Sequence, residues 1–372
     1  MSKAQIKNQK KILLIINNYE LNSINKIILS IIKTNQSLLF YVLSLEDFGE
    51  YQSDFSNKKN LIIIDKGKKL RQKMIKTKKI IFQEKIKLIH THSLRPELCA
   101  FYFKIFFPKL FLISNRHNPL FLHFNIKSRL QNTSYRLFSK YTNQNICVAP
   151  HIYKTLLEDF KISQKKLLLI ENALIENKES KIKTKNKKRK TKQIIYFGQL
   201  IKRKNIETLI LAWKKIKEAP QLTIMGRGKE LKKLKILASK CSAENTKTIK
   251  FLPFHPNPEN FYKKGDIFVL PSLNEGLSLS LLESMKSALV CVASDIPANK
   301  FIIKSGRNGL LFKAGSVKSL KKQLVKLINK PQLCKQLIKQ AQKDVEDNFN
   351  NKKMTLSYKI NYQKLFQLIE NR

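Results

Sequence analysis

Acidic residues are scarce in this chain: 26 Asp and Glu stand against 73 Lys and Arg, which leaves a formal net charge of +47 over 372 residues. A field of that size attracts phosphates, nucleic acids or anionic lipid head groups. A broad coding bias toward Lys, Asn and Ile produces the same excess, so charge alone does not choose among these partners. Cysteine is sparse too. Cys99, Cys147, Cys241, Cys291 and Cys334 are an odd, scattered set without a C-x-x-C pair, which argues against a zinc site or a disulfide framework and fits a reducing cytosol. No stretch supplies the ~20 uninterrupted apolar residues of a transmembrane helix, so any membrane contact is expected to be peripheral. The apolar run in "MSKAQIKNQKKILLIINNYE" breaks at Asn17-Asn18, too early for a signal-peptide core and cleavage site, and predicts a chain that is not exported.

What is present is the composition of a folded protein, 42% hydrophobic and 9% aromatic, on a chain long enough for two cores. Strand-length apolar runs recur at 11–17, 37–43, 61–65, 86–92, 110–114, 145–149 and 166–172, and again at 193–198, 221–226, 248–252, 266–272 and 289–295. Helix-length segments separate them, which reads as βα units around parallel sheets. Two Rossmann-like halves follow: an N-terminal domain over 1–176 and a C-terminal domain over 193–372, joined by a lysine-dense linker at 177–192 that has too little apolar content to bury. A nucleic-acid or localisation patch is the other reading of that linker. The terminal stretch 354–370 has apolar residues at three- and four-residue steps, the pattern of a helix expected to brace one domain against the other.

Residues 98–157 contain no acid, yet "FYFKIFFPKLFLISNRHNPLFLHFNIKSR" interleaves aromatic, aliphatic and basic side chains. That mixture suits a surface dipping into anionic head groups, placed over 98–130. The alternative makes Phe106, Leu110, Phe111 and Leu112 ordinary core. Outward-facing Phe101, Phe103, Phe107 or Phe121 would favour the membrane surface.

Three features of the second half suit phosphate chemistry. A strand ends at Gly198, and Lys202, Arg203 and Lys204 follow just before a helix predicted to begin near Asn205; the carboxyl end of a strand is where open α/β sheets bind ligands. A second strand ends in Gly226-x-Gly228, which permits close backbone approach. The third is "LPSLNEGLSLSLLES", with Glu275 and Glu283 eight residues apart. In one regular helix they would point about 80° apart. Gly276 instead suggests a loop position for Glu275, a helix start near Leu277 or Ser278, and Glu283 about two turns inside. The free N–H groups of the first turn would then form an anion site between the two carboxylates.

Together "FGQLIKRKNIETLILAW", "LTIMGRGKELKKL", "FYKKGDIFVLPSLNEGLSLSLLESM" and "SDIPANKFIIKSGRNGLLFKAGS" resemble the C-terminal domain of family 4 glycosyltransferases. More loosely, "IHTHSLRPELCA", "ISNRHNP", "ICVAPHIYKTLLEDF" and "LLLIENALI" are similar to its N-terminal domain. The resemblance implies a GT-B fold, two Rossmann-like domains facing a cleft, and retaining sugar transfer from a nucleotide diphosphate-sugar. It implies that Glu283 holds the ribose, and that Glu275 faces the donor sugar. Backbone N–H groups near Gly276, Leu277 and Ser278 would bind sugar or phosphate oxygens, while Lys204 neutralises the departing diphosphate. His117 would face the reacting sugar, with His90 and His92 structural.

The family has an arginine directly after the glycine of "FG", where this chain has Gln199; Arg203 is the nearby replacement. Where the family's first loop is glycine-rich, this chain has "NNYELNSINK". No D-x-D cluster stands where a metal would hold the diphosphate, so neither metal nor cofactor is expected. The expected acceptor is a lipid-linked or envelope glycan (lipopolysaccharide, capsule or glycolipid), and the expected place is the cytoplasm or the cytoplasmic face of the inner membrane. A nucleotide-sugar epimerase of the same fold, a basic nucleic-acid-binding protein and a catalytically weakened homologue are the alternatives; the second lacks RNP aromatics, zinc spacing and a reading helix.

Overall fold

The computed structural model describes residues 9–371 apart from 21, 48, 50–51, 65–67, 118–125, 176–191 and 243–248, together with 256–257; at 23, 52, 126–132 and 241–242 only the backbone is described. Phe121, the Cys241 side chain and nearly all of the basic linker lie outside the described residues. Contacts divide the chain into two compact units, Met1–Ile175 with Asn351–Arg372, and Glu176–Asn350.

The first unit runs β1 (Lys10–Ile16), α1 (Ser23–Thr34), β2 (Leu38–Ser44), α2 (Gln52–Ser56), β3 (Leu61–Ile63), α3 (Leu70–Gln83) and β4 (Leu88–His92). It continues with α4 (Leu94–Phe106), β5 (Phe111–Arg116), α5 (Ile126–Tyr141), β6 (Gln144–Cys147), α6 (Pro150–Glu158) and β7 (Leu167–Leu169). The seven strands are parallel in the order β3-β2-β1-β4-β5-β6-β7. All of β2, β4 and β5 is buried, as strands covered by helices on both faces must be, and this is why they read as continuous apolar runs. Local signals mark helix starts: the Asn22 side chain accepts from Asn25 N–H at 2.9 Å before α1, and α6 opens on a proline.

The second unit runs β8 (Gln193–Phe197), α7 (Ile206–Lys214), β9 (Gln221–Met225), α8 (Leu231–Ser242), β10 (Ile249–Leu252), α9 (Glu259–Tyr262) and β11 (Ile267–Leu270). It ends with α10 (Leu279–Lys286), β12 (Val290–Ser294), α11 (Pro297–Ile302), β13 (Leu310–Phe312), α12 (Val317–Asn329) and α13 (Pro331–Asn348). Its sheet is also parallel, ordered β10-β9-β8-β11-β12-β13. Each of the twelve apolar runs read as strands is one. The thirteenth strand, β13, is three residues long at the sheet edge and carries no run of its own.

The last helix, α14 (Asn351–Glu370), counts with the first unit rather than with the C-terminal domain expected to hold it. Polar contacts explain its seat. Tyr362 Oη lies 2.7 Å from His90 Nδ1, Asn115 Nδ2 donates to Tyr358 Oη at 2.6 Å, and Asn361 donates to Gln144 at 2.8 Å. In the aromatic-basic stretch Phe103, Leu110, Phe111 and Leu112 are core. Phe101 and Phe107 are half-buried and Phe106 is exposed, so Phe103 faces inward and Phe106 outward, the reverse of the two expectations. Among the described residues no helix is long and apolar enough to cross a membrane.

Candidate functional site

The second sheet reverses its winding between β8 and β11, the switch point at which parallel open sheets leave a crevice above their carboxyl ends. The loops leaving those two strands meet there. After β8, Lys202–Lys204 form a 3-10 turn, and Asn205 takes a left-handed conformation (φ 49°) before α7 starts at Ile206. After β11, Leu273 N–H donates to Arg203 O at 2.8 Å. That bond brings the cations to Glu275. Lys204 Nζ lies 2.5 Å from Glu275 Oε1, and Arg203 Nη1 donates to Glu275 Oε2 at 3.0 Å and to Asn274 O at 2.9 Å.

Glu275 and Lys204 are both buried. Burial pushes the Glu275 carboxyl up, but Lys204 and Arg203 outweigh it and hold the group below the usual carboxylate range. For Lys204, burial pulls the ammonium down more than Glu275 raises it. The site is therefore a desolvated carboxylate clamped by two cations, with Arg203 the more exposed of the pair.

Helix α10 follows directly. Ser278 precedes its first residue, and its hydroxyl pairs with that of Ser280 at 3.1 Å rather than capping the helix. Glu283 is then just over one turn inside α10, closer to the helix start than expected because the helix begins at Leu279. Its Oε2 accepts from the buried Tyr262 hydroxyl at 3.0 Å. Gly276, Leu277 and Ser278 form the loop between Glu275 and the helix, and all three are buried.

The glycines have a different local task from the carboxylates. A Cβ on Gly226 would lie 2.0 Å from Gly198 O, and one on Gly228 2.2 Å from Leu200 O. Their absence lets the loops after β8 and β9 pair backbone to backbone, with Leu200 N–H on Arg227 O at 2.8 Å and Glu230 N–H on Leu200 O at 3.0 Å. Gln199 is exposed, and its carbonyl accepts from Tyr196 Oη at 2.8 Å.

In the first unit His117 follows β5 at the carboxyl edge of the sheet, and it is buried. His117 Nε2 lies 3.0 Å from His92 Nδ1, and the two rings stack with centroids 5.3 Å apart. Burial, then the neighbouring rings, keep these groups neutral: His117 is pulled down to about 3, His90 to about 4 by burial, and His92 well below its ordinary value. His90 ties Asn115 and Tyr362 together, the structural place expected for it; His92 does more and positions His117.

Sequence reasoning missed Tyr262, which sits 21 residues before Glu283 with nothing in the spacing to join them. It also missed the buried pair of Arg116 and Glu97, whose two hydrogen bonds are both 2.6 Å. Asn145 accepts from Arg116 Nε at 2.8 Å and Thr142 donates to Glu97 at 2.7 Å. This network fixes the end of β5 immediately before His117. The one acid preceding the acid-free stretch was the available signal.

Residues 177–344, within the second unit, match the family described as glycosyl transferases group 1. An uncharacterized glycosyltransferase of Methanocaldococcus jannaschii is 29% identical over 296 residues, 75% of each chain. An N-acetylgalactosamine-N,N'-diacetylbacillosaminyl-diphospho-undecaprenol 4-alpha-N-acetylgalactosaminyltransferase of Campylobacter jejuni is 32% identical over 141 residues, 38% of each chain. Among solved structures, Anabaena HepE in complex with UDP-glucose superposes with a TM-score of 0.79 at 16% identity, covering 95% of this chain and 99% of that one. The fold is thus that of the GT-B proteins, built of two Rossmann-like units.

Proposed function

We propose that this protein is a retaining, nucleotide-sugar-dependent glycosyltransferase of family 4 that moves a hexose to a lipid-linked or cell-envelope glycan. The observation that carries the reading is Glu275, buried and clamped by Lys204 and Arg203 at the switch point, with Glu283 just over one turn inside the helix that follows. In this reading the donor diphosphate takes Lys204, Arg203 and the uncapped N–H groups at the start of α10 as its partners. Glu275 receives the hydroxyls of the donor sugar, and Glu283, aimed by Tyr262, receives the ribose hydroxyls through two acceptor oxygens. As the glycosidic bond to the diphosphate breaks, charge grows on the leaving oxygens, and cations already desolvated stabilise it strongly. His117, neutral and oriented by His92, offers a hydrogen bond to the reacting sugar rather than a charge.

Arg203 stands in for an arginine at position 199, since it shares Glu275 with Lys204. No metal enters the proposed reaction; activity retained in EDTA is the outcome that agrees with it. The UDP-glucose complex of the Anabaena structure supports a nucleotide-sugar donor, and the diphospho-undecaprenol substrate named for the Campylobacter relative supports a lipid-linked acceptor. Calorimetry with UDP, GDP, ADP and their sugars, repeated on Glu283→Ala, tests the site. Binding of one nucleotide that the substitution abolishes agrees with the reading; no binding, or binding indifferent to the substitution, sinks it. Product analysis without acceptor separates transfer from epimerisation, because an epimerase alone converts the sugar nucleotide into its isomer.

A further inference from the structure

Helices α3 and α4 cover one face of the first sheet through Ile81, Ala100 and Phe103, which share a buried cluster with Ile86 and Leu110. Their outward sides are not polar. On α3 Ile75 and Phe82 are exposed, Phe82 to 75% of its surface; on α4 Leu98, Tyr102, Ile105 and Phe106 are exposed, Ile105 also to 75%. Steps of three, four and seven residues place each set along one side of its helix. The two sides meet, because Lys78 Nζ lies 3.3 Å from the Phe106 ring centroid and Tyr102 packs edge-on against Phe106 at 5.1 Å.

The charge around this apolar corner is of one sign. Between residues 68 and 110 the only acids are Glu84 and Glu97. Glu97 is buried against Arg116, and the partly exposed Glu84 accepts from Lys11 at 2.8 Å, so each already has a cationic partner. Lys79, Lys85, Lys87 and Lys109 are exposed. Because every strand is parallel, the helices end at the amino edge of the sheet, so Phe82, Ile105, Phe106, Lys85 and Lys109 gather at the edge opposite His117. Exposed apolar tips add nothing to nucleic-acid phosphate binding, and lysine is depleted at protein interfaces. Side chains that bury apolar tips while keeping ammonium groups at head-group level suit a lipid surface.

We propose that this corner of α3 and α4 docks on the surface of an anionic phospholipid bilayer. It does not depend on the assignment of the sugar-nucleotide site. The test is co-sedimentation of the full chain with vesicles of phosphatidylcholine containing one quarter phosphatidylglycerol, and with pure phosphatidylcholine. Binding is expected only to the anionic vesicles, and to weaken with salt. Phe82→Glu with Ile105→Glu should lower it about tenfold or more, with melting temperature and circular dichroism unchanged. Lys79→Glu with Lys85→Glu should remove the preference for anionic lipid, and Phe106→Trp should shift its emission to the blue on vesicle addition. Absence of wild-type binding, equal binding by the Phe82 and Ile105 variant, or RNA binding that persists in that variant while vesicles are ignored would overturn the proposal.

Discussion

Glu275 is shared: Lys204 Nζ holds one carboxylate oxygen at 2.5 Å and Arg203 Nη1 the other at 3.0 Å. Removing the shared partner differs from removing one of the two that share it. Glu275→Gln leaves two cations facing each other in a desolvated site, and is expected to cost about 3 kcal/mol of stability. Lys204→Met leaves Glu275 with Arg203 and should cost less, while weakening donor binding more. Urea denaturation of both variants checks the order; equal losses would mean the clamp is not coupled.

Tyr262 aims Glu283. Tyr262→Phe removes one hydroxyl that donates to a charged acceptor, worth about 1.5 kcal/mol. Melting temperature should fall by a few degrees, and with Glu283 no longer aimed, nucleotide affinity should fall about tenfold in calorimetry.

Gly226→Ala puts a Cβ 2.0 Å from Gly198 O, a backbone atom that cannot step aside. Loss of stability of about 2 kcal/mol or more is expected, together with loss of donor binding as the loop after β8 moves. Gly306→Ala is the control. Its φ is +87° and nothing stands within 4 Å, so only a conformational cost of about 1 kcal/mol applies.

The histidines make stability depend on pH. His90, His92 and His117 are all held below their ordinary value of 6.5, His90 to about 4 and His117 to about 3. The unfolded chain therefore binds more protons than the native one once pH falls below about 6.5, so stability is full above that value and declines toward the lower values. Melting temperature should drop between pH 7 and pH 4.5, and the drop should be smaller in His90→Gln than in the wild type. A flat profile over that range would remove the burial of these rings as its cause.

Much of the fold could be read without coordinates, for a physical reason. Strands covered on both faces must be apolar throughout, so β1, β2 and β11 announce themselves, whereas β13, whose apolar stretch stops at three residues between Gly309 and Lys313, does not. Likewise Gly276 separated a loop carboxylate from a helix carboxylate before either was placed. What spacing cannot carry is a bond between residues distant in sequence. The pairing of His92 with His117 is made by strands lying side by side, that of Arg116 with Glu97 by a strand against the helix covering it, and that of Tyr262 with Glu283 by two helices meeting.

The terminal helix shows the division most plainly. Its periodicity is local and identified 354–370 as a helix, since the 3.6-residue repeat is written in the order of residues. Which core it covers depends on partners more than two hundred positions away, where Tyr362 finds His90 and Tyr358 finds Asn115. Composition and periodicity specify which segments must be buried and in what local form. Only the packed tertiary structure supplies the desolvated surroundings that join Lys204 to Glu275 and keep His117 neutral, because burial belongs to the assembled chain and not to any stretch of it.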